Sequence, residues 1–176
     1  LARTHALERE QFGRPIARVS IFCLIRGNVM LSFLFSTTSW NYLYTASNYV
    51  GSFRNDFVFS SFLNDTISTG DGNDYVDSGA GNDVIDLGNG NDVAFAGNGN
   101  DSVDGGAGDD WIDGGHGNDT LRGGGGDDWV FGGQGDDTII YRANTGAGLD
   151  RVNGGSGFDT LTLELTAAQQ ASAGFI

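Results

Sequence analysis

Lysine does not occur in this chain of 176 residues, and cysteine, proline and methionine occur once each. Several of these shortages remove a class of explanation. Cys23 is alone, so the chain holds no internal disulfide framework. Without lysine, its glycine-rich loops are not phosphate-binding loops, and the Asp they carry would repel phosphate. The only histidines, His5 and His116, stand outside any H-E-x-x-H, and there is no G-x-S-x-G elbow. Asp109/Asp110 and Asp127/Asp128 imitate a hydrolase pair, but the period described below explains them better. The chain is therefore read as not an enzyme. Long apolar runs are missing too. Val19–Ile25 ends at Arg26, too short for a spanning helix, and no small-residue cleavage site follows to make it a signal peptide.

What is abundant is glycine, 30 residues, and acid, with a net charge of −14. The charge is uneven. Residues 1–29 hold five Arg and two Glu, whereas the remainder holds four Arg against 21 acids. That balance argues against nucleic acid as a partner.

From Asp56 to Asp137 an Asp recurs every nine residues. Two residues after each comes an apolar side chain, from Val58 and Ile67 through to Val130 and Ile139, and two before most of them comes a Gly. The unit reads G-G-x-G-x-D-x-U-x, with U apolar; its places are called positions 1 to 9 below. A fixed period of this kind marks a solenoid. Glycine supplies positive φ for sharp turns, and Asp supplies a hard anionic oxygen. The x-U-x triplet suits a short strand, with U facing one way and its neighbours the other.

This unit resembles the hemolysin-type calcium-binding repeat, the RTX nonapeptide. Gly105–Asp113 (GGAGDDWID), Gly114–Arg122 (GGHGNDTLR), Gly123–Phe131 (GGGGDDWVF) and Gly132–Ile140 (GGQGDDTII) match it well. From Thr69 to Phe95 the first Gly gives way to Thr69, Ser78 or Leu87. After Tyr141 the register slips by four residues and resumes at Asp150 and Asp159. The resemblance implies an all-β fold, a right-handed parallel β-roll with two repeats per coil. Loops 18 residues apart then stack on one edge. One edge would carry Asp74, Asp92, Asp110 and Asp128, and the other Asp83, Asp101, Asp119 and Asp137. The backbone of the metal sites would come from Gly88, Gly90, Gly97, Gly99, Gly106, Gly108, Gly115, Gly117, Gly124 and Gly126. Counted between stacked loops, this gives about six Ca2+ ions, each taking roughly 6–8 oxygens. Asp56 and Asp65 extend the register, but their loops, GSFRND and SSFLND, lack the glycines. They are expected to cap the roll with weak or no metal binding.

Along the chain, residues 1–50 form a non-repeat N-terminal segment. Met30, the only Met, is expected to be the physiological start, with 1–29 upstream of it. Residues 30–50 are aromatic and β-prone, and are expected to form irregular strands covering the first coil. The roll is placed at 51–141, a loop at 142–149, and the last repeats with a truncated C-terminal segment at 150–176, including a short helix from about Thr166.

The resemblance implies a secreted, extracellular module that folds with calcium on export and leaves through a type I channel. One alternative is a surface adhesin or an ice- or matrix-binding solenoid, using a row of Thr66, Ser102, Thr120 and Thr138 that Val84 interrupts. Another is a non-catalytic carrier for a secreted hydrolase whose catalytic domain lies outside this chain. Aromatic residues flank U only in alternate repeats: Phe57, Tyr75, Phe95, Trp111, Trp129 and Phe131 share this one set. Such a stripe is larger than monomers usually expose. Its expected cover is segment 30–50, another domain of the parent protein, or a second roll. No membrane span is expected.

Overall fold

The computed structural model describes residues 31–33, 41–44, 48–143, 148–166 and 169–170. Residues 1–29 and Met30, and with them the expectation about the start, lie outside the described residues. In chain order the strands are β1 (Leu31–Phe33), β2 (Asn41–Tyr44), β3 (Asn48–Ser52), β4 (Asp56–Phe59) and β5 (Thr66–Asp71). Next come β6 (Tyr75–Asp77), β7 (Val84–Asn89), β8 (Val93–Phe95), β9 (Ser102–Ala107) and β10 (Trp111–His116). The last five are β11 (Thr120–Gly125), β12 (Trp129–Gln134), β13 (Thr138–Ala143), β14 (Arg151–Ser156) and β15 (Thr160–Leu165).

Alternate strands go to alternate sheets, because each repeat supplies one strand and then turns. One sheet has eight strands in the order β1-β2-β4-β6-β8-β10-β12-β14, and the other has seven, β3-β5-β7-β9-β11-β13-β15. Pairing is parallel throughout except between β1 and β2, which run antiparallel. Trp111 sits opposite Val93 and Trp129, and Ile112 opposite Ala94 and Val130. The neighbour of any residue is therefore the one a full coil away. This is a parallel β-roll, all β. Among the described residues no helix is long and apolar enough to cross a membrane.

Position 8 points between the sheets everywhere from Val58 to Ile139, each side chain no more than 3% exposed. Each such burial contributes roughly 2 kcal/mol. Position 1 also points inward, which the repeat formula does not reveal. Leu87, Ala96, Thr69 and Ser78 are buried there, so the lost glycines are extra core and not decay of the repeat. β6 and β8 are the expected triplets, whereas most repeat strands are longer. In β10 and β12 pairing continues past the triplet through Gly115↔Gly133 and His116↔Gln134, because the three residues after it keep the ladder before the chain turns.

Three further features concern the ends. The described parts of segment 30–50 do not lie across the aromatic face. β2 adds edge-on to β4, and β3 to β5, so this segment continues the sheets. The roll also continues past Tyr141. Trp129 pairs with Arg151 and Thr138 with Thr160, a step of 22 residues that absorbs the register slip at one corner. At the expected helix start, Gln169 Oε1 accepts the Thr166 N–H (2.8 Å) and Thr166 Oγ1 accepts the Gln169 N–H (3.3 Å), a capping box. Residues 171–176 lie outside the described residues.

Candidate metal centre

The corners between strands are built by glycine at positions 2 and 4. Gly106 has φ +97° and Gly108 φ +126°, values an L side chain avoids. Space forbids a side chain as well. A Cβ on Gly108 would lie 1.9 Å from the Gly90 carbonyl oxygen, and one on Gly106 2.0 Å from that of Gly88. The coils therefore stack backbone against backbone, with carbonyls aimed along the edge. Gly97, Gly99, Gly115, Gly117, Gly124 and Gly126 share the positive φ and the same close approach.

Position 6 turns inward at each corner. The carboxylates from Asp56 to Asp137 are all buried, at most 3% exposed. They form two columns. On one edge the Asp74 N–H donates to Asp92 Oδ1 (2.6 Å), Asp92 N–H to Asp110 Oδ1 (2.9 Å) and Asp110 N–H to Asp128 Oδ1 (2.9 Å). On the other edge Asp83 donates to Asp101 (2.7 Å), Asp101 to Asp119 (2.8 Å) and Asp119 to Asp137 (2.8 Å) in the same way. Both columns continue across the 22-residue step, to Asp150 and Asp159, at 3.1 Å.

The second oxygen is different. Oδ2 of Asp74, Asp83, Asp92, Asp101, Asp110, Asp119, Asp128 and Asp137 is buried with no hydrogen-bond partner. Leaving one such atom unmade costs about 1–3 kcal/mol, and more when it is charged. Burial raises the proton affinity of these groups. It carries Asp110 up to about 8 and Asp92 to about 7, with the N–H from the previous coil opposing and the neighbouring carboxylates adding to the rise. Asp101 stands at about 7, and Asp119 and Asp128 at about 6, again mainly through burial. Asp74, Asp83 and Asp137 are raised for the same reason. Each column is thus a line of carboxylates lacking either a proton or a cation.

These residues fit a hard cation. Among the described residues no three acidic, His or Cys side chains gather in one cluster. A cation between coils must therefore complete its shell from backbone carbonyls, which calcium accepts readily. The stacked glycine corners supply such oxygens. His116 enters only through its backbone, its N–H donating to the Gly97 carbonyl (2.7 Å).

A second ladder was hidden in the formula's variable position 5. The side-chain oxygen of each Asn or Asp there accepts the N–H of position 5 one coil later. Asn91 donates to Asn73 (3.1 Å), Asp127 to Asp109 (2.9 Å) and Asp136 to Asn118 (2.9 Å). This ladder runs opposite to the Asp column beside it. Its signal was present in the sequence: every residue preceding the periodic Asp, from Asn55 to Asp136, is Asn or Asp.

The family profile for the RTX calcium-binding nonapeptide repeat matches residues 50–85, 59–94, 86–121, 105–139 and 142–162. No curated protein matches the chain.

Proposed function

Because the chain belongs to the RTX calcium-binding nonapeptide-repeat family, we propose that its two Asp columns hold Ca2+ between stacked coils and that this binding drives folding on export. The chain is a calcium-binding repeat module, and the roll is structural and not catalytic. The observation that supports the finer reading is the eight buried Oδ2 atoms without a partner, all at position 6. Asp74, Asp92, Asp110 and Asp128 would serve one edge and Asp83, Asp101, Asp119 and Asp137 the other, about six ions in all. Carbonyls of the corner glycines from Gly88 to Gly126 would complete the shells. Calcium supplies the positive charge that the buried carboxylates lack. Where calcium is scarce the carboxylates repel and the chain stays threadable; outside the cell the roll closes. The placement is therefore secreted and extracellular, by a type I route. Circular dichroism of the full chain, titrated with calcium and reversed with chelator, tests this. Cooperative gain of β signal is expected, and a spectrum indifferent to chelator would overturn it.

A second element of the proposal concerns partners. Trp111 and Trp129 stack with centroids 5.8 Å apart, Phe131 lies 4.8 Å from Trp111, and both tryptophans stay about 40% exposed (39% and 41%). This face would dock against another domain of the parent protein or a second roll. That favours a carrier or stabilising module over an adhesin, since Val84, 51% exposed, breaks the threonine row of the opposite face.

A further inference from the structure

We infer that hydrogen bonds from Ser52 and Ser60 take the place of calcium at Asp56 and Asp65, so that the first coil built of repeats closes without metal. The inference rests on the reading that the Asp columns hold calcium. Asp56 and Asp65 are as buried as the other column members, 0% and 2% exposed. Their oxygens, however, are served by the protein. The Ser52 N–H donates to Asp56 Oδ2 (2.9 Å) and the Ser52 hydroxyl to Asp56 Oδ1 (3.4 Å). The Ser60 hydroxyl donates to Asp65 Oδ2. The Oδ2 atoms that stay bare in the later coils both have a donor here.

The hydroxyls fade along the roll. At position 1 one edge reads Ser60, Ser78, Ala96, Gly114, Gly132, and the other reads Gly51, Thr69, Leu87, Gly105, Gly123, with Ser52 at position 2 serving Asp56. At Ser78 and Thr69 the hydroxyl proton goes to the carbonyls of Ala96 and Leu87, both at 2.7 Å, and Oδ2 of Asp83 and Asp74 stays unpartnered. From Gly105 onward no side chain fits. A Cβ there would lie 2.5 Å from Asp110 Oδ2, and one on Gly114 2.5 Å from Asp119 Oδ2. The later coils therefore have no donor of their own to offer these oxygens at position 1. The donors at Ser52 and Ser60 thus set the first coil apart from the later ones, whose Oδ2 atoms have no partner.

Hydrogen exchange read by mass spectrometry on the full chain tests this. In chelator, peptides within 56–71 should stay protected while those within 105–140 exchange as an unfolded chain. Ser60→Ala combined with Ser52→Ala should speed exchange of 56–71 in chelator by about 10- to 100-fold, the worth of a hydrogen bond to a charged group. Calorimetric calcium stoichiometry should not change in Ser60→Ala. Equal exchange of 56–71 and 105–140 in chelator, or no response to the double substitution, would overturn the inference. Protection of 105–140 in chelator would overturn the calcium reading itself, and this inference with it.

Discussion

On the outer face of the eight-stranded sheet, Trp111, Trp129 and Phe131 pack ring against ring, Tyr75 packs against Phe95 at 5.9 Å, and Arg151 covers Trp129 at 4.8 Å. On the seven-stranded sheet the equivalent places carry Thr120, Thr138 and the Arg122–Asp104 ion pair at 2.7 Å. Inside, the same strands are interchangeable: Ile112 and Val130 on one sheet do what Leu121 and Ile139 do on the other. The interior repeats with one nonapeptide, because both sheets share a core and both edges need a carboxylate. The exterior repeats with two, because successive repeats face opposite ways. Fold is thus written at the shorter period and surface recognition at the longer one.

Removing calcium should erase this difference, since the two sheets share their corners. Far-ultraviolet dichroism, which reports both sheets, and tryptophan fluorescence of a Trp40→Phe variant, which leaves only Trp111 and Trp129 on one sheet, should lose signal at a single chelator concentration. Separate transitions would mean that the sheets fold apart. The next largest effect separates inside from outside on one strand. In saturating calcium, Asp110→Ala should cost about 1.5–3 kcal/mol, because Asp110 bonds to the coils on both sides. Asp113→Ala, at an outward position, should stay within about 0.5 kcal/mol. Urea melts of both variants, with calcium counted by calorimetry, decide; equal losses would put the register in error.

Acidity should act on both edges alike. Asp110, Asp92 and Asp101 have native proton affinities raised to about 8, 7 and 7 from the ordinary 3.8. The native state then binds more protons than the unfolded state between those limits, so its calcium-free stability falls as pH rises through that window. Calcium-depleted protein should therefore show more β signal by circular dichroism at pH 5 than at pH 8, and the opposite order would contradict the burial of these groups. The smallest effect concerns the faces themselves. Trp111→Ser/Trp129→Ser/Phe131→Ser should lower self-association or hydrophobic-dye binding in calcium, whereas Thr120→Ser/Thr138→Ser should leave both unchanged. Sedimentation of the two variants beside wild type measures it; identical profiles would remove the aromatic face as an interface.

The Asp and U positions were legible because each has one acceptable chemistry and recurs at one spacing. Asp74 through Asp137 fall into two columns as that spacing requires. Position 1 was not legible. The formula prints Gly there, so Leu87 and Thr69 looked like lapses, and only the packed coil shows that position facing the core. The position-5 ladder was hidden for a related reason: Asn and Asp are common turn residues anyway, and only a hydrogen bond across a coil distinguishes them. Strands capping the first coil in segment 30–50 were legible from its β-prone composition, and β2 and β3 pair with β4 and β5 there; its aromatic content also suggested a cover for the aromatic stripe, which the described parts do not form.

The corner that spans 22 residues where the others span 18 has a practical meaning. Leu149 returns its N–H to Asp127 Oδ1 (2.9 Å) as position 5 does in the shorter coils, and Gly148 donates to the Gly126 carbonyl (2.7 Å). A residue gained within a strand would reverse every side chain after it; residues gained at a corner leave both columns and both faces in place. A roll of this kind can therefore acquire new loops at its corners during evolution without renegotiating its interior.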